Sequence, residues 1–151
     1  GKRLADKLGY TFMDTDSTIE KKKGKSISGI FQEDGEEHFR GLETGVVKEL
    51  SGIRGCVIST GGGMVINREI ILNLKKDGLM IWLKTSPETI YERVKSEHHR
   101  PLLGVKDPLQ EINKLLGLRE PLYAEADITI ETDGLDIEKI VGMIVDAYSK
   151  F

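Results

Sequence analysis

The sequence predicts an α/β fold in which a parallel sheet is covered by helices on both faces, giving three layers. Two observations favour this class. Short apolar, β-branched segments alternate along the chain with segments whose apolar residues recur at helical spacing. One of the short segments, residues 79–83, is almost continuously apolar, as expected for a strand covered on both sides. Because no repeat or linker interrupts this alternation, we expect the 151 residues to form one domain.

Composition narrows the classes of function. A formal net charge of −3 argues against a broad nucleic-acid-binding surface, and no apolar run reaches the length of a membrane span. Cys56 is the only cysteine, which excludes an intrachain disulfide or a cysteine-rich metal site and suits a reducing compartment. We therefore expect a cytoplasmic protein that binds neither nucleic acid nor a membrane.

The first strand is predicted at residues 10–13, after an opening helix that ends at Gly9. Asp14 and Asp16 follow this strand. Two aspartates at a strand end can hold a hydrated divalent cation, or one of them can accept a proton. The alternative is that Asp16 caps the next helix, whose apolar face starts at Ile19. The residues by themselves favour capping, and the two roles are compatible.

Two helical pieces come next. The first covers residues 26–31, and a longer one opens at residues 34–37, where acidic side chains suit the positive end of a helix. Arg40 and Glu43 flank the buried stripe of the longer helix, so the carboxylate can orient the guanidinium. A surface ion pair without a function is the alternative. The stripe consists of Phe39, Leu42, Val46 and Leu50.

Residues 56–64 are the most informative stretch, because an apolar strand breaks there into Gly61, Gly62 and Gly63. Glycines at this place can adopt positive φ angles and turn their amide N–H groups toward one point, which makes an anion-binding concavity. A helix is predicted over residues 67–74, so the concavity would lie where open α/β sheets bind ligands. A tight turn without a ligand is the alternative.

A nearly structureless segment is predicted in the second half of the chain. It covers residues 97–107 and is expected to be a mobile loop, after a helix over residues 88–95 that carries Arg93. His98 and His99 lie in this segment. They are adjacent rather than at i, i+4 spacing, which argues against a zinc site.

Arg119 supports the sharpest inference from a single residue. It continues the apolar stripe of a helix that starts at Leu109, and an inward-facing cation must meet a carboxylate of the protein or of a ligand. Pro121 is expected to stop this helix, so that Arg119 faces a crevice at the helix end. A last strand is predicted at residues 128–131 and an amphipathic closing helix at residues 137–148.

The chain resembles the shikimate kinases, which have a P-loop, nucleoside-monophosphate-kinase-like fold. The resemblance spans nearly the whole sequence and rests on five motifs in the family's order and spacing. They are Asp14-Thr15-Asp16, Phe39-Arg40 with Glu43, Gly61-Gly62-Gly63, Arg100-Pro101-Leu102-Leu103 and Arg119-Glu120-Pro121-Leu122-Tyr123. The resemblance implies one kinase domain, residues 1–151, with a shikimate-binding region over residues 14–63 and a lid over residues 97–107.

The resemblance also implies an activity and a role for each site residue. The activity is phosphorylation of the 3-hydroxyl of shikimate by ATP with Mg2+, and the enzyme is expected to be a monomer. Asp16 would hold the shikimate hydroxyls and act as the base, and two arginines with the glycine turn would clamp the shikimate carboxylate. The clamp would consist of Arg40, Arg119, Gly61, Gly62 and Gly63, with Glu43 fixing Arg40 and with Phe31 and Phe39 forming an apolar wall. On the nucleotide side, Arg93 would lie against the adenine, and Arg100 on the lid would stabilise the transferring phosphoryl group. Asp14 would lie near the metal through water, and Ser59 and Thr60 would also lie near it.

One part of the family pattern is not in the sequence. The first strand and the phosphate loop, Gly-x-x-x-x-Gly-Lys-Ser/Thr, are absent, and Gly1 and Lys2 correspond to the helix after them. We therefore expect roughly 15 to 20 further residues upstream in the native protein, enough for one strand and the loop. Without that loop, the 151 residues alone are not expected to turn over.

Two other functions stay open from the sequence. A related small-molecule kinase, such as a gluconate kinase, would also use Arg40 and Arg119 for an acceptor that bears a carboxylate. A kinase-like binding module that has lost its phosphate loop would keep the same acceptor residues without catalysis. A phosphate loop in the upstream coding sequence would separate an enzyme from the binding module, and ATP turnover by the full-length protein with shikimate against gluconate would settle the substrate.

Overall fold

A computed structural model describes residues 1–95 and 107–151 of the chain. Helices and short strands alternate along it, as predicted. In chain order the elements are α1 (Lys2–Leu8), β1 (Thr11–Asp14), α2 (Thr15–Lys23), α3 (Ile27–Leu50), β2 (Cys56–Ser59), a 3-10 helix (Met64–Ile66), α4 (Arg68–Asp77), β3 (Ile81–Lys84), α5 (Pro87–Val94), α6 (Pro108–Tyr123), β4 (Ile128–Glu131) and α7 (Ile137–Tyr148). The predicted strand and helix positions are confirmed to within a few residues.

The strands form two parallel pairs. In the first pair, β1 runs beside β2 with Thr11 opposite Cys56 and Asp14 opposite Ser59. In the second pair, β3 runs beside β4 with Ile81 opposite Ile128. Because both pairs are parallel, the connections between paired strands must cross over through helices, which is the arrangement of an α/β fold.

Helices cover both faces of the β1–β2 pair, and two neighbouring residues of β2 demonstrate this. Successive side chains of a strand point to opposite faces. Ile58 packs into a cluster built on α2 and α3, whereas Val57 packs into a second cluster built on α1, α7 and the β3–β4 pair. The predicted three-layer architecture is confirmed.

The helix α3 is broken at Gly35, where the sequence predicts the boundary between two helical pieces. Gly35 has φ 81° and ψ 171°, a backbone conformation that residues with a Cβ rarely adopt. Beyond this break the predicted apolar stripe is buried at three of its four positions. The buried members are Phe39, Val46 and Leu50, and Leu42 packs against their cluster.

The prediction that Asp16 caps α2 is wrong. Asp14, not Asp16, is the N-cap, and its Oδ1 accepts a hydrogen bond from the Ser17 N–H at 2.8 Å. The reason lies in the sheet: Asp14 still pairs with Ser59 as the last residue of β1, so its extended backbone is already set for capping. Asp16 therefore lies inside the first turn of α2, and its side chain is not committed to a cap.

The predicted end of α6 is also wrong. The helix passes through Pro121 and ends at Tyr123. A proline costs one backbone hydrogen bond, but here the next turn closes normally, since Ala124 N–H donates to the carbonyl of Glu120 at 2.9 Å. Tyr123 thus lies one helical turn after Arg119, and the two residues share a face of α6.

In the two described ranges, 1–95 and 107–151, no helix combines the length and the apolar character that crossing a membrane requires.

Candidate acceptor site at the glycine turn

The glycine turn, Gly61–Gly63, connects β2 to the 3-10 helix. Met64 N–H donates to the Gly61 carbonyl at 3.1 Å, and Ile66 N–H donates to the Gly63 carbonyl at 3.2 Å. The prediction that these glycines use positive φ is wrong, because Gly63 has φ −81° and none of the three has a positive φ. The turn is instead a tight right-handed one, so the need for glycine must come from the space around it.

Two side chains from different helices approach this turn closely. A Cβ placed on Gly61 would lie 3.3 Å from Oδ1 of Asp16, and a Cβ placed on Gly63 would lie 2.8 Å from Nη1 of Arg40. The second distance is shorter than real Cβ contacts, so a side chain at position 63 would displace the guanidinium. The absence of side chains in this turn therefore lets a carboxylate and a cation lie against its backbone.

A third contact comes from α6. The hydroxyl of Tyr123 donates a hydrogen bond of 2.6 Å to the carbonyl of Gly62, across 61 positions of sequence. A Cβ on Gly62 would lie 3.2 Å from that hydroxyl. The turn is thus surrounded by side chains from α2, α3 and α6, which the sequence keeps far apart.

Arg40 is held by two carboxylates on its own helix. Its Nη1 donates to Oε2 of Glu43 at 2.8 Å, and its Nη2 donates to Oε1 of Glu36 at 2.9 Å. The side chain of Glu43 is only 2% exposed, whereas that of Glu36 is 66% exposed. The pair with Glu43 is therefore partly buried, with its carboxylate enclosed, and differs from the solvated surface pair that the sequence left open.

The electrostatics of Glu43 reflect this burial. Loss of solvent raises the pKa of the Glu43 carboxyl above its ordinary value, and two neighbouring carboxylates add to the rise while Arg40 opposes it. One of those neighbours is Asp16, so the charges of Asp16 and Glu43 affect each other. The site therefore concentrates negative charge beside a single guanidinium, which makes a second nearby cation favourable.

Glu36 is a neighbour of Arg40 that the sequence does not single out. It was interpreted only as an acidic residue at a helix start. Its Oε1 also lies 3.3 Å from Nε of Arg40, so the carboxylate faces the Nε–Nη2 edge of the guanidinium. The i, i+4 spacing of Glu36 and Arg40 was the available signal. An incoming carboxylate that used this edge would displace an exposed side chain, which costs little.

The two phenylalanines predicted as an apolar wall are in contact. The ring centroids of Phe31 and Phe39 are 4.6 Å apart with the planes tilted by 39°. The guanidinium carbon of Arg40 lies 5.5 Å from the centroid of the Phe39 ring. The aromatic pair therefore adjoins the cation at the glycine turn.

Arg119 lies half-buried on α6. Across residues 1–95 and 107–151 it forms no ion pair with a carboxylate of the protein. Its neighbour on the same face, Tyr123, contacts the glycine turn directly. The described residues therefore supply no carboxylate partner for this cation.

The three residues predicted near a metal lie at the carboxyl ends of the first strand pair. Asp14 is the register partner of Ser59, which is followed by Thr60, and the Thr15 hydroxyl donates to the Ser59 carbonyl at 3.2 Å. The described parts of the chain contain no group of three or more His, Cys, Asp or Glu side chains placed to bind a metal. One carboxylate and two hydroxyls suit only an ion that keeps most of its waters, such as Mg2+.

The remaining predicted residues lie elsewhere. Arg93 is exposed on α5 and takes no part in the contacts around the glycine turn. Arg100 and the predicted lid, up to residue 106, lie outside the described residues.

Residues 1–149 of the sequence match the family model of shikimate kinase. Among curated relatives, the shikimate kinase of Caldanaerobacter subterraneus subsp. tengcongensis is 43% identical over 150 residues, which are 99% of this chain and 88% of the relative. That of Persephonella marina is 44% identical over 145 residues, 96% of this chain and 87% of the relative.

Solved structures give the same match. The shikimate kinase of Acinetobacter baumannii in complex with shikimate superimposes with a TM-score of 0.94 at 37% identity, covering 99% of this chain and 84% of the other. The shikimate kinase of Aquifex aeolicus superimposes with a TM-score of 0.86 at 36% identity, covering 99% and 87%.

Proposed function

Because this chain belongs to the shikimate kinase family, a family of ATP-dependent kinases that phosphorylate shikimate, we propose that the glycine turn and the side chains around it form the shikimate site. The observation that carries the proposal is that the side chains of Asp16 and Arg40 both lie against the backbone of the Gly61–Gly63 turn. These residues come from separate elements and supply a base, a cation and backbone amides in one place.

The carboxylate of shikimate is bound by Arg40 and Arg119. Guanidinium groups stay charged and can bind a carboxylate through two parallel hydrogen bonds. Glu43 fixes one end of the Arg40 guanidinium, which limits its rotation and leaves the Nε–Nη2 edge to the exposed Glu36 or to a ligand. A second cation from Arg119 is supported by its lack of an ion pair in the described parts of the chain.

Asp16 is the catalytic base. Its side chain projects from the first turn of α2 to the backbone of Gly61, so a hydroxyl bound at the turn would lie within reach of its carboxylate. The carboxylate would accept the proton of the 3-hydroxyl as that oxygen attacks the terminal phosphorus of ATP. Phe31 and Phe39 form the apolar wall on the side of Arg40.

The nucleotide side of the reaction uses the remaining predicted residues. Asp14, Ser59 and Thr60 would hold Mg2+ through oxygen atoms and water, and this ion would neutralise charge on the phosphates of ATP. Arg93 would lie against the adenine, and Arg100 on the lid would stabilise charge on the transferring phosphoryl group. In this proposal residues 14–63 contain most of the shikimate site, and residues 97–107 close over the phosphates.

The test is ATP turnover by the full-length protein with shikimate or gluconate as acceptor, measured by coupled detection of ADP. We expect turnover with shikimate and none above background with gluconate. Gluconate carries a carboxylate but no ring, so it controls for charge recognition alone. Preference for gluconate, or ADP release that is independent of either acceptor, would contradict the proposed acceptor.

A further inference from the structure

The hydrogen bond from Tyr123 to Gly62 fixes a peptide plane in the shikimate site. Since a peptide group is planar, a fixed Gly62 carbonyl also fixes the direction of the Gly63 N–H, which points the opposite way. At 2.6 Å, this hydrogen bond lies at the short end of the range for a hydroxyl donor. The orientation of one amide in the glycine turn therefore depends on a side chain of α6.

The tyrosine itself is anchored. Its ring stacks on the indole of Trp82 in β3, with centroids 5.6 Å apart and an interplanar angle of 24°. Lys84, two residues along the same strand, lies 5.3 Å from the Trp82 ring and 3.3 Å from the carboxylate of Glu120 on α6. The Tyr123 ring is thus held against β3, and the position of its hydroxyl is set by packing within the protein.

The same helix carries Arg119, one turn before Tyr123. Glu120, next to the arginine, is tied to Lys84, and Tyr123 is tied to the glycine turn. Both contacts lie within four residues after Arg119 and restrain the end of α6. A shift of this helix end would move the arginine and release the Gly62 carbonyl together.

We propose that Tyr123 is a positioning residue for shikimate binding: its hydroxyl orients the Gly62–Gly63 peptide and keeps Arg119 at a fixed distance from the glycine turn. This inference rests on the proposed function, because it assigns the turn and Arg119 to the acceptor. Tyr123 acts through these groups and is not itself assigned a contact with shikimate.

The test is the substitution Tyr123→Phe, which removes the hydroxyl and keeps the ring that stacks on Trp82. We expect the dissociation constant for shikimate, measured by calorimetry, to rise roughly fivefold to tenfold, the effect of losing one useful hydrogen bond. The melting temperature should fall by no more than about 4 °C, because the packing remains.

The matched control is Tyr10→Phe, which removes the hydroxyl-to-hydroxyl hydrogen bond of 3.1 Å between Tyr10 and Tyr148, outside the site. This variant should bind shikimate as the wild type does. An unchanged dissociation constant for Tyr123→Phe, or equal losses in the two variants, would overturn the inference while the wild type still binds shikimate. Failure of the wild type to bind shikimate would overturn the proposed function as well, so the two failures are distinguishable.

Discussion

The substitution Asp16→Asn is expected to reduce kcat by about a hundredfold to ten-thousandfold, the usual contribution of a general base. The amide keeps the size of the side chain and its place beside Gly61 but cannot take the proton of the attacking hydroxyl. Shikimate affinity should change only a few-fold, because the carboxylate clamp is intact. The measurement is steady-state turnover of the full-length protein combined with calorimetric binding of shikimate.

The control for this change is Asp136→Asn. Asp136 caps α7 by accepting a hydrogen bond from the Lys139 N–H at 2.8 Å, far along the chain from the site, and asparagine caps helices equally well. Its turnover should equal that of the wild type. Should Asp16→Asn retain more than about a tenth of the wild-type kcat, Asp16 is not the base.

The substitution Arg119→Ala is expected to weaken shikimate binding by about a hundredfold, equivalent to about 3 kcal/mol for charge-assisted hydrogen bonds to a carboxylate. Stability should change little, because Arg119 makes no ion pair within residues 1–95 and 107–151 that the change could break. Shikimate calorimetry and thermal unfolding of the same sample measure the two effects.

Arg68→Ala is the matched control, since Arg68 forms an exposed ion pair with Glu125 and is not assigned to the site. It should leave shikimate affinity unchanged. A large fall in the melting temperature of Arg119→Ala, alongside the loss of shikimate affinity, would identify Arg119 as a structural cation instead. Arg119→Lys should recover only part of the affinity, because an ammonium group lacks the two-pronged geometry of guanidinium.

Much of the fold could be predicted because periodicity is a local property. Short windows of sequence were enough to predict three features: the alternation of strands and helices, the apolar stripe from Phe39 to Leu50, and the break at Gly35. The spacing of Arg40 and Glu43 likewise predicted their contact, since i and i+3 side chains meet on a helix.

The errors arose where distant contacts decide the outcome. Asp14 and Asp16 both precede an apolar helix, and only the pairing of Asp14 with Ser59 determines which aspartate caps it. Glycine in the turn was predicted for its dihedral freedom, whereas in the structure it leaves the space that the Arg40 guanidinium occupies. No local window contains that information.

The contact of Tyr123 with Gly62 was missed for a related reason. Pro121 was expected to end α6, which would have placed Tyr123 outside the helix. Because the helix continues, Tyr123 shares a face with Arg119 and reaches a turn 61 positions earlier in the chain. The roles of Arg93, Arg100 and the magnesium residues, the monomeric state and the cytoplasmic location stay predictions.

The most direct test of the account is a calorimetric titration of the protein with shikimate and, separately, with its methyl ester. The ester keeps the ring and its hydroxyls but loses the negative charge that Arg40 and Arg119 are proposed to bind. We expect the ester to bind at least about a hundredfold more weakly than shikimate. Affinities within about twofold of each other would show that no carboxylate clamp exists at the glycine turn.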